Sequence, residues 1–412
     1  MNGSQGVYMQ DLTSVTAPHD PVATAHALLP LVSRYAEQCE REGRVPEAVI
    51  EAIGQAGLFR MMFPRRAGGV SHKLITHIET VAELGKACPG TAWAFSLLSG
   101  VTAAAVSMPE AVSSLLFKRG DELFCSVAAQ TGSAIAFPGG YRVSGRWGYA
   151  SGCLHADYAM NGVKIIDENG DVIDSGFAVL PLKHPRVRIE DTWHVAGVCG
   201  SGSNTIVAED VEVAPALVMR YSQLRSGSAP GVAAQVALEP RDRWPVEPLF
   251  PLGVLAPMLG AAGALLDQVK RQLAKRPVTG WHYESQAQSH VFVQQLGEAA
   301  MEIDSAWLHI RRAAAQIDET AQKRPLNGYE KARIQADCGF AMGLLRRAGE
   351  RLMDIAGPAA FASRNPLQRF WRDLNVGSRH TALNTRLSLE LYGRAMTGLD
   401  SNLLLLGNIG GE

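Results

Sequence analysis

The sequence predicts an α+β protein that is mostly helical, with an N-terminal helical domain, a central β-barrel domain and a C-terminal four-helix bundle. Its 412 residues exceed what one hydrophobic core usually supports. Short β-rich runs begin near residue 122, and long stretches of helical periodicity return after residue 243. We therefore predict a flexible tail (1–20), the N-terminal helical domain (21–121), the barrel (122–220), a connector (221–243) and the bundle (244–412).

The N-terminal domain contains a clear helix start at Pro46 and Glu47. Proline suits the first turn of a helix, and the acid lies near the positive end of the helix dipole. Apolar residues then recur at helical spacing at Val49, Ile50, Ile53 and Leu58. Gly57 can end this helix.

A change in residue pattern after Glu122 indicates the β-domain. Gly139–Gly140 predicts a turn into the alternating segment Tyr141–Tyr149, which suits a strand with one buried face. Further β-rich runs are separated by Pro, Gly, Asp and Asn. These runs are Phe177–Leu180, Val187–Ile189 and Thr205–Val213.

Four long segments after residue 243 have helical periodicity. They extend around Leu252 to Leu273, Ser289 to Ile317, Tyr329 to Ile355 and Asn375 to Thr397. Two uncharged stretches, 87–109 and 248–266, are crowded with small residues and lack aromatic and Lys/Arg anchors. We expect both to be buried helices and no membrane association.

Composition argues against several classes of partner. Lys plus Arg number 39 against 40 Asp plus Glu, so the chain has no basic field for nucleic acid. The six cysteines are scattered, with no Cys or His spacing for zinc or an iron–sulfur cluster, and we predict no metal. The polar N-terminus lacks an apolar segment, so the sequence favours a cytoplasmic protein with reduced thiols.

Four motifs in order give a more specific indication. The first motif is a strand that begins Gly-Gly-Tyr and continues to a Trp and a Ser-Gly pair. The second is a loop that contains Thr-Trp and is rich in Gly and Ser, the third is a helix with Leu-Asp followed by an Arg and a Gly, and the fourth is an aromatic segment with Arg-Asp. In this order the four motifs occupy Gly139–Gly152, Asp191–Asn204, Leu266–Gly280 and Pro366–Leu374. Together these segments resemble the acyl-CoA dehydrogenase superfamily over about the whole chain.

The resemblance implies a bound flavin. It suggests that Trp147, Ala150, Ser151, Trp193 and Ser203 contact the flavin, although both tryptophans could instead fill the core and Ser203 could merely form a turn. It also implies a homotetramer, built as a dimer of dimers.

Arg276 belongs to the Leu-Asp motif, and the resemblance implies that it reaches the phosphate of a neighbouring subunit's flavin. Alternatively, Arg276 could lie on a solvated, charged helix face together with Lys270, Arg271 and Lys275.

The base of a dehydrogenase is missing from this sequence. Desaturation needs a carboxylate with a raised pKa beside the flavin to remove a proton. The position at which most relatives carry glutamate falls at about His380 or Thr381, and residues 377–384 contain no acid. The alternative glutamate position corresponds to Phe250, and Glu247 lies most of a helical turn away.

The pattern is instead similar to the oxygenase component of two-component flavin-dependent monooxygenases. A separate NAD(P)H:flavin reductase would supply reduced FMN, with FAD as the alternative, and dioxygen would be the co-substrate. The chain would hydroxylate its substrate, or oxidise a nitrogen, through a C4a-hydroperoxyflavin. We expect Ser151 to hydrogen-bond the flavin and His380 to transfer the proton.

The substrate is predicted from the helix that begins near Trp93. Trp93, Ser99 and Ser126 are our candidates for substrate contacts. Phenol-oxidising relatives place a histidine on this helix, whereas this chain has Ser96, Ser99 and Thr102, which argues against a phenolate mechanism. The uncharged lining favours a mostly apolar aromatic or polycyclic molecule.

Two other functions stay open at this point. The chain could be a flavin oxidase or desaturase with His380 as its base. It could also be a flavin-free scaffold that retains the fold for assembly.

Overall fold

Helices flank a single sheet in the computed structural model, which describes residues 16–222, 239–403, 406 and 409. Most of the tail predicted for 1–20 and most of the connector predicted for 221–243 lie outside those residues. The order of helices, sheet and helices confirms the predicted α+β class.

The helices before the sheet are numbered as follows: α1 is Pro21–Glu42, α2 is Glu47–Gln55, α3 is Leu74–Gly85, α4 is Pro89–Val106 and α5 is Glu110–Leu116. The start predicted near Pro46 is confirmed, with Pro46 as the N-cap of α2. Gly57 has φ +73°, a conformation that glycine adopts without strain, and it follows the end of α2.

The sheet contains seven strands in the described residues. They are β1 (Phe124–Phe137), β2 (Gly140–Ala150), β3 (Tyr158–Ile166), β4 (Val172–Pro181), β5 (Val187–Glu190), β6 (Asn204–Val213) and β7 (Val218–Arg220). Their order is β5-β6-β2-β1-β3-β4-β7. The short strands β5 and β7 are the two edges, so the predicted barrel is corrected to a sheet that does not close.

Five helices follow the sheet in the described residues. They are α6 (Val246–Leu273), α7 (His290–Ala321), α8 (Gly328–Ala356), α9 (Pro366–Gly377) and α10 (Thr385–Met396). The structure therefore corrects the single helix predicted for 375–397. Asn384 caps α10 by accepting the backbone N–H groups of Arg386 and Leu387, so a new helix begins there. His380 lies in the break between the two helices.

Helix α6 crosses α3 with the two backbones in contact. A Cβ atom on Gly260 would lie 2.1 Å from the carbonyl oxygen of Ala82, and one on Gly85 would lie 2.8 Å from that of Pro257. Helix α6 has the length and hydropathy of a membrane span, yet 72% of its most apolar window is buried inside the fold, as in a core helix.

A proline inside α6 ties this helix to α4. Pro257 has no N–H group, so the carbonyl of Gly253 loses its usual partner within the helix. The Ser96 hydroxyl of α4 donates to that carbonyl at 2.9 Å. Ser96, one of the residues found where phenol-oxidising relatives place histidine, thus joins the two helices.

Candidate active site

His380 is held in one tautomer by the turn it begins. Its Nδ1 accepts the backbone N–H of Ala382 at 3.2 Å, so the proton of the neutral imidazole lies on Nε2. Burial lowers the pKa of His380 below the ordinary 6.5. The side chain is therefore a neutral Nε2–H donor at pH 7.

Two aromatic side chains flank the imidazole. The ring centroid of His380 lies 5.3 Å from that of Phe250 on α6 and 5.9 Å from that of Trp93 on α4. Trp93 is buried, whereas Phe250 is 42% exposed. Phe250 thus packs against the imidazole at the position corresponding to the alternative glutamate, a contact that the sequence reasoning missed.

A chain of buried hydroxyl groups begins at the same tryptophan. Trp93 Nε1 donates to Ser151 Oγ at 3.2 Å, and Ser203 Oγ lies 2.7 Å from both Ser151 Oγ and Ser201 Oγ. If Ser201 donates to Ser203 and Ser203 donates to Ser151, the hydrogen of Ser151 is left for a ligand. Trp93 therefore links the predicted catalytic residues His380 and Ser151.

The turn after β2 positions Ser151. Its backbone N–H donates to the carbonyl of Tyr149 at 3.0 Å, and Tyr149 itself has φ +64°, which is uncommon for a residue other than glycine. Gly152 follows with φ +76°, and a Cβ atom there would lie 2.7 Å from Leu98 Cγ of α4. The glycine of the motif is thus required at position 152 by the close approach of α4.

Tyr149 and Trp193 form an aromatic corner next to the hydroxyl chain. Their rings meet edge to face at 5.8 Å between centroids, and Tyr149 is 78% exposed. The buried Asn204 side chain holds the loop, because its oxygen accepts the backbone N–H groups of Thr192 and Trp193. Sequence reasoning missed Tyr149, although its place between Trp147 and Ser151 in the flavin motif was a usable signal.

These residues fit a flavin. A planar ring needs aromatic surface on which to lie and hydrogen-bond donors at its polar edge. The exposed ring of Tyr149 and the indole of Trp193 offer the surface, and the Ser151 hydroxyl offers the donor.

Three residues predicted to contact flavin or substrate have no exposed surface, which argues against those contacts: Trp147, Ala150 and Ser99 are each 0% exposed. Trp147 donates from Nε1 to the carbonyl of Gly162 at 2.7 Å and fills the interior of the β-domain. Ser99 donates to the carbonyl of Ser96 within its own helix. Their burial assigns them to packing, which was the alternative weighed for Trp147.

Two other candidates are satisfied within the chain. The Ser126 hydroxyl donates to the carbonyl of Met160 at 2.5 Å, and its predicted substrate contact stays a prediction. Helix α6 ends at Leu273, so Arg276 lies in the segment after it and not on a charged helix face. Its guanidinium donates to the carbonyl of Ala356, and its predicted contact with a neighbouring subunit stays a prediction.

Two acids of the C-terminal helices already have partners. Glu247 accepts from Lys331 Nζ of α8 at 3.2 Å. Asp373 of α9 is buried and accepts the backbone N–H of Val198 at 2.6 Å. Neither carboxylate is left without a partner to serve as the base of a desaturase.

Family comparisons cover both helical parts of the chain. The model for the acyl-CoA dehydrogenase N-terminal domain matches residues 28–108. The model for the acyl-CoA dehydrogenase C-terminal domain matches residues 252–385.

Individual relatives cover nearly the whole chain. The flavin-dependent monooxygenase oxygenase subunit HsaA of Rhodococcus jostii is 30% identical over 90% of this chain and 97% of its own length. The oxygenase component of an FADH2-dependent resorcinol hydroxylase of a Rhizobium species is 30% identical, over 89% of this chain and 91% of its own. The solved structure of XiaF from a Streptomyces species, in complex with FADH2 and glycerol, has a TM-score of 0.88 and 32% identity, over 93% of this chain and 96% of its own.

Proposed function

The chain belongs to the acyl-CoA dehydrogenase family, in its group of flavin-dependent monooxygenase oxygenase components, and on that premise we propose its reaction. It takes reduced flavin from a separate NAD(P)H:flavin reductase and inserts one atom of dioxygen into a small, mostly apolar aromatic or polycyclic molecule. The observation that carries this proposal is the link from the neutral His380 through Trp93 to the Ser151 hydroxyl.

Individual side chains of this protein have separate roles in the reaction. Reduced flavin, when bound, supplies the electrons that activate dioxygen. Tyr149 and Trp193 orient the planar ring, and the Ser151 hydroxyl donates a hydrogen bond to it. His380 presents its Nε2–H between Trp93 and Phe250, where it can donate a hydrogen bond to an oxygen atom that departs as the substrate is oxidised and so stabilise its negative charge. The aromatic walls exclude water, which limits loss of the activated oxygen as peroxide.

The flavin is proposed to be FMN or FAD in its reduced form. The sequence favoured FMN, whereas one relative is named FADH2-dependent and another was solved with FADH2. Both flavins therefore belong in the assay, and the relatives' names support giving FAD equal weight.

We also propose a homotetramer, as the family resemblance implied, in the cytoplasm, as the cysteines and the polar N-terminus favoured. Helix α7 presents the exposed apolar side chains of Met301 and Leu308 seven residues apart on one face, which is the kind of surface that subunit contacts bury. All six cysteines are free thiols, in keeping with a reducing compartment.

Oxygen incorporation tests the proposed reaction. The protein is incubated with NADH, a generic flavin reductase, and FMN or FAD, and with a panel of phenols, polycyclic aromatics and amines under isotopically heavy dioxygen. We expect mass spectrometry to find a product that has gained one labelled oxygen atom. Absence of labelled product from the whole panel, with flavin bound and reduced, would contradict the proposal.

Anaerobic mixing separates the other two functions. A desaturase would bleach bound oxidised flavin with substrate alone, whereas this protein should stay oxidised until the reductase and NADH are added. A flavin-free scaffold would bind neither FMN nor FAD and would gain no thermal stability from reduced flavin.

A further inference from the structure

A buried carboxylate connects the helix before His380 to the aromatic corner. Asp373 lies on α9, about two turns before His380, and is 5% exposed. Its Oδ1 accepts the backbone N–H of Val198 at 2.6 Å, in the loop that carries Trp193. The contact spans two segments that are far apart in the sequence.

Val198 connects Asp373 to the candidate flavin site. Its carbonyl accepts Trp193 Nε1 at 3.3 Å and the backbone N–H of Ser201 at 3.0 Å. Val198 has φ +56°, a true outlier for a β-branched residue, which persists only where the surrounding structure enforces it. The hydrogen bond to Asp373 is an interaction that can hold this strained conformation.

The same loop lies directly against α9. A Cβ atom on Gly197 would be 2.6 Å from the carbonyl oxygen of Arg372, so only glycine fits there. The Arg372 guanidinium donates to the carbonyl of Ala196 and to Glu40 of α1. Arg372 and Asp373 therefore hold the loop from two adjacent positions of one helix.

We propose that Asp373 is a positioning residue whose carboxylate fixes Val198, and through Val198 both the Trp193 indole and Ser201. The flavin-receiving loop and the helix that leads to His380 are then held in one geometry. This inference rests on the proposed flavin site, since Trp193 and Ser201 matter only if they receive that ring.

The carboxylate titrates near neutral pH. Burial is the largest cause and, with the nearby Cys88, raises the pKa of Asp373 to about 7, while the Val198 N–H opposes the rise. The titratable and charged groups that face it come from α1, the start of α4, its own helix and the loop: Cys39, Glu40, Cys88, Cys199 and Arg372.

Positioning and stability then change in opposite directions with pH. A carboxylate accepts a stronger hydrogen bond than a carboxylic acid, so Val198 is held more firmly above pH 7 than below it. The folded pKa of about 7 exceeds the ordinary 3.8. The contribution of Asp373 to folding stability is therefore present at low pH and is lost as the pH rises through 7. A residue that only stabilised the fold would show the loss of stability with rising pH, but not the firmer hold on Val198.

The first test compares flavin binding by the wild type and by Asp373→Asn, which keeps the shape and removes the titration. We expect the dissociation constant of the wild type for oxidised FMN to fall about five-fold between pH 6 and pH 8, relative to the variant. Both proteins meet the same flavin, so the titration of the ligand cancels in the ratio. Asp171→Asn, in the exposed turn between β3 and β4, is the control and should keep the wild-type profile.

The second test needs no flavin. Amide hydrogen exchange of the peptide covering 195–201, corrected for the intrinsic rate, should be slower at pH 8 than at pH 6 in the wild type and independent of pH in Asp373→Asn. Superimposable profiles of the two proteins would overturn the positioning role. Failure of the wild type to bind any flavin would instead overturn the proposed function. The hydrogen-exchange measurement would still test whether Asp373 positions Val198.

Discussion

The single protonation state of His380 makes its role testable at the level of one side chain. Replacing His380 by Gln removes the imidazole, whose Nε2–H is held in place by the Nδ1 contact with Ala382, while keeping a hydrogen-bonding group. We expect hydroxylated product to fall about 100-fold, within the usual range for loss of a positioned hydrogen-bond donor, and peroxide release per NADH to rise. Product by mass spectrometry and peroxide by a coupled assay measure the two. His290→Gln, at the exposed start of α7, should leave both unchanged.

The pH dependence of coupling follows from the lowered pKa of His380. Burial keeps the imidazole neutral at pH 7, and protonation requires a pH below the ordinary 6.5. Product formed per NADH should therefore be constant from pH 8 to pH 7 and decline only at more acidic pH, where a proton on Nδ1 breaks the hydrogen bond with Ala382. A decline centred above pH 7 in the wild type that persists in His380→Gln would show that another group controls coupling.

Sequence reasoning found residues of the site more readily than contacts between them. Ser151 and Trp193 were found because each lies in a recognisable motif, and His380 because an expected acid was missing. Phe250 and Tyr149 were missed as partners because their contacts join elements that meet only after folding. Trp147 lies in the same motif as Ser151, yet its indole has no exposed surface and donates to the carbonyl of Gly162 in the core.

At the scale of elements, the hydroxyl of Ser96 should matter only while Pro257 interrupts α6. Ser96→Ala leaves the carbonyl of Gly253 without its donor and should cost about 1–3 kcal/mol of unfolding free energy. In the Pro257→Ala background residue 257 has its own N–H, so the same change should cost about 1 kcal/mol less. Chemical denaturation of the four proteins measures this coupling. Equal costs in both backgrounds would refute it.

The crossing of α3 and α6 gives a matched pair of glycine substitutions. Gly260→Ala would place a methyl group 2.1 Å from the carbonyl oxygen of Ala82, so we expect a loss of at least about 2 kcal/mol. A Cβ atom on Gly263, one turn further along α6, meets nothing within 4 Å. Gly263→Ala should therefore stabilise by up to about 1 kcal/mol, because alanine favours helix. Calorimetry distinguishes the two, and equal destabilisation by both would contradict this account of the crossing.

Helix positions were predictable wherever an apolar stripe and a cap coincided, as at α2 and α8. The segment 375–397 was predicted as one helix because its periodicity continues on both sides of His380. The signal for two helices was Asn384, whose side chain caps α10. A cap in the middle of a periodic segment can be decided only by tertiary packing, which periodicity does not report.

At the scale of the whole molecule, assembly should depend on the exposed stripe of α7. Met301→Glu combined with Leu308→Glu introduces charge into a surface that the proposed tetramer buries. We expect sedimentation to show a tetramer for the wild type and smaller species for the variant. Asp171→Asn, in the exposed turn between β3 and β4, is the control, and an unchanged variant would place the interface elsewhere.

The closure of the β-domain could not be predicted from strand patterns. Alternation located most strands, but whether the outer strands meet depends on twist and length, which the sequence does not display. Here β5 and β7 are short and each pairs with one neighbour, so the sheet stays open.

The break between α9 and α10 has a consequence for how such proteins diverge. Each helix ends at its own hydrogen bonds: the Ser378 hydroxyl donates to the carbonyl of Asn375, and Asn384 caps the next helix. Residues 379–383 can therefore be exchanged with little change to the register of either helix. Evolution can replace the proton-transfer group here while inheriting the scaffold intact, so a new chemistry does not require a new fold.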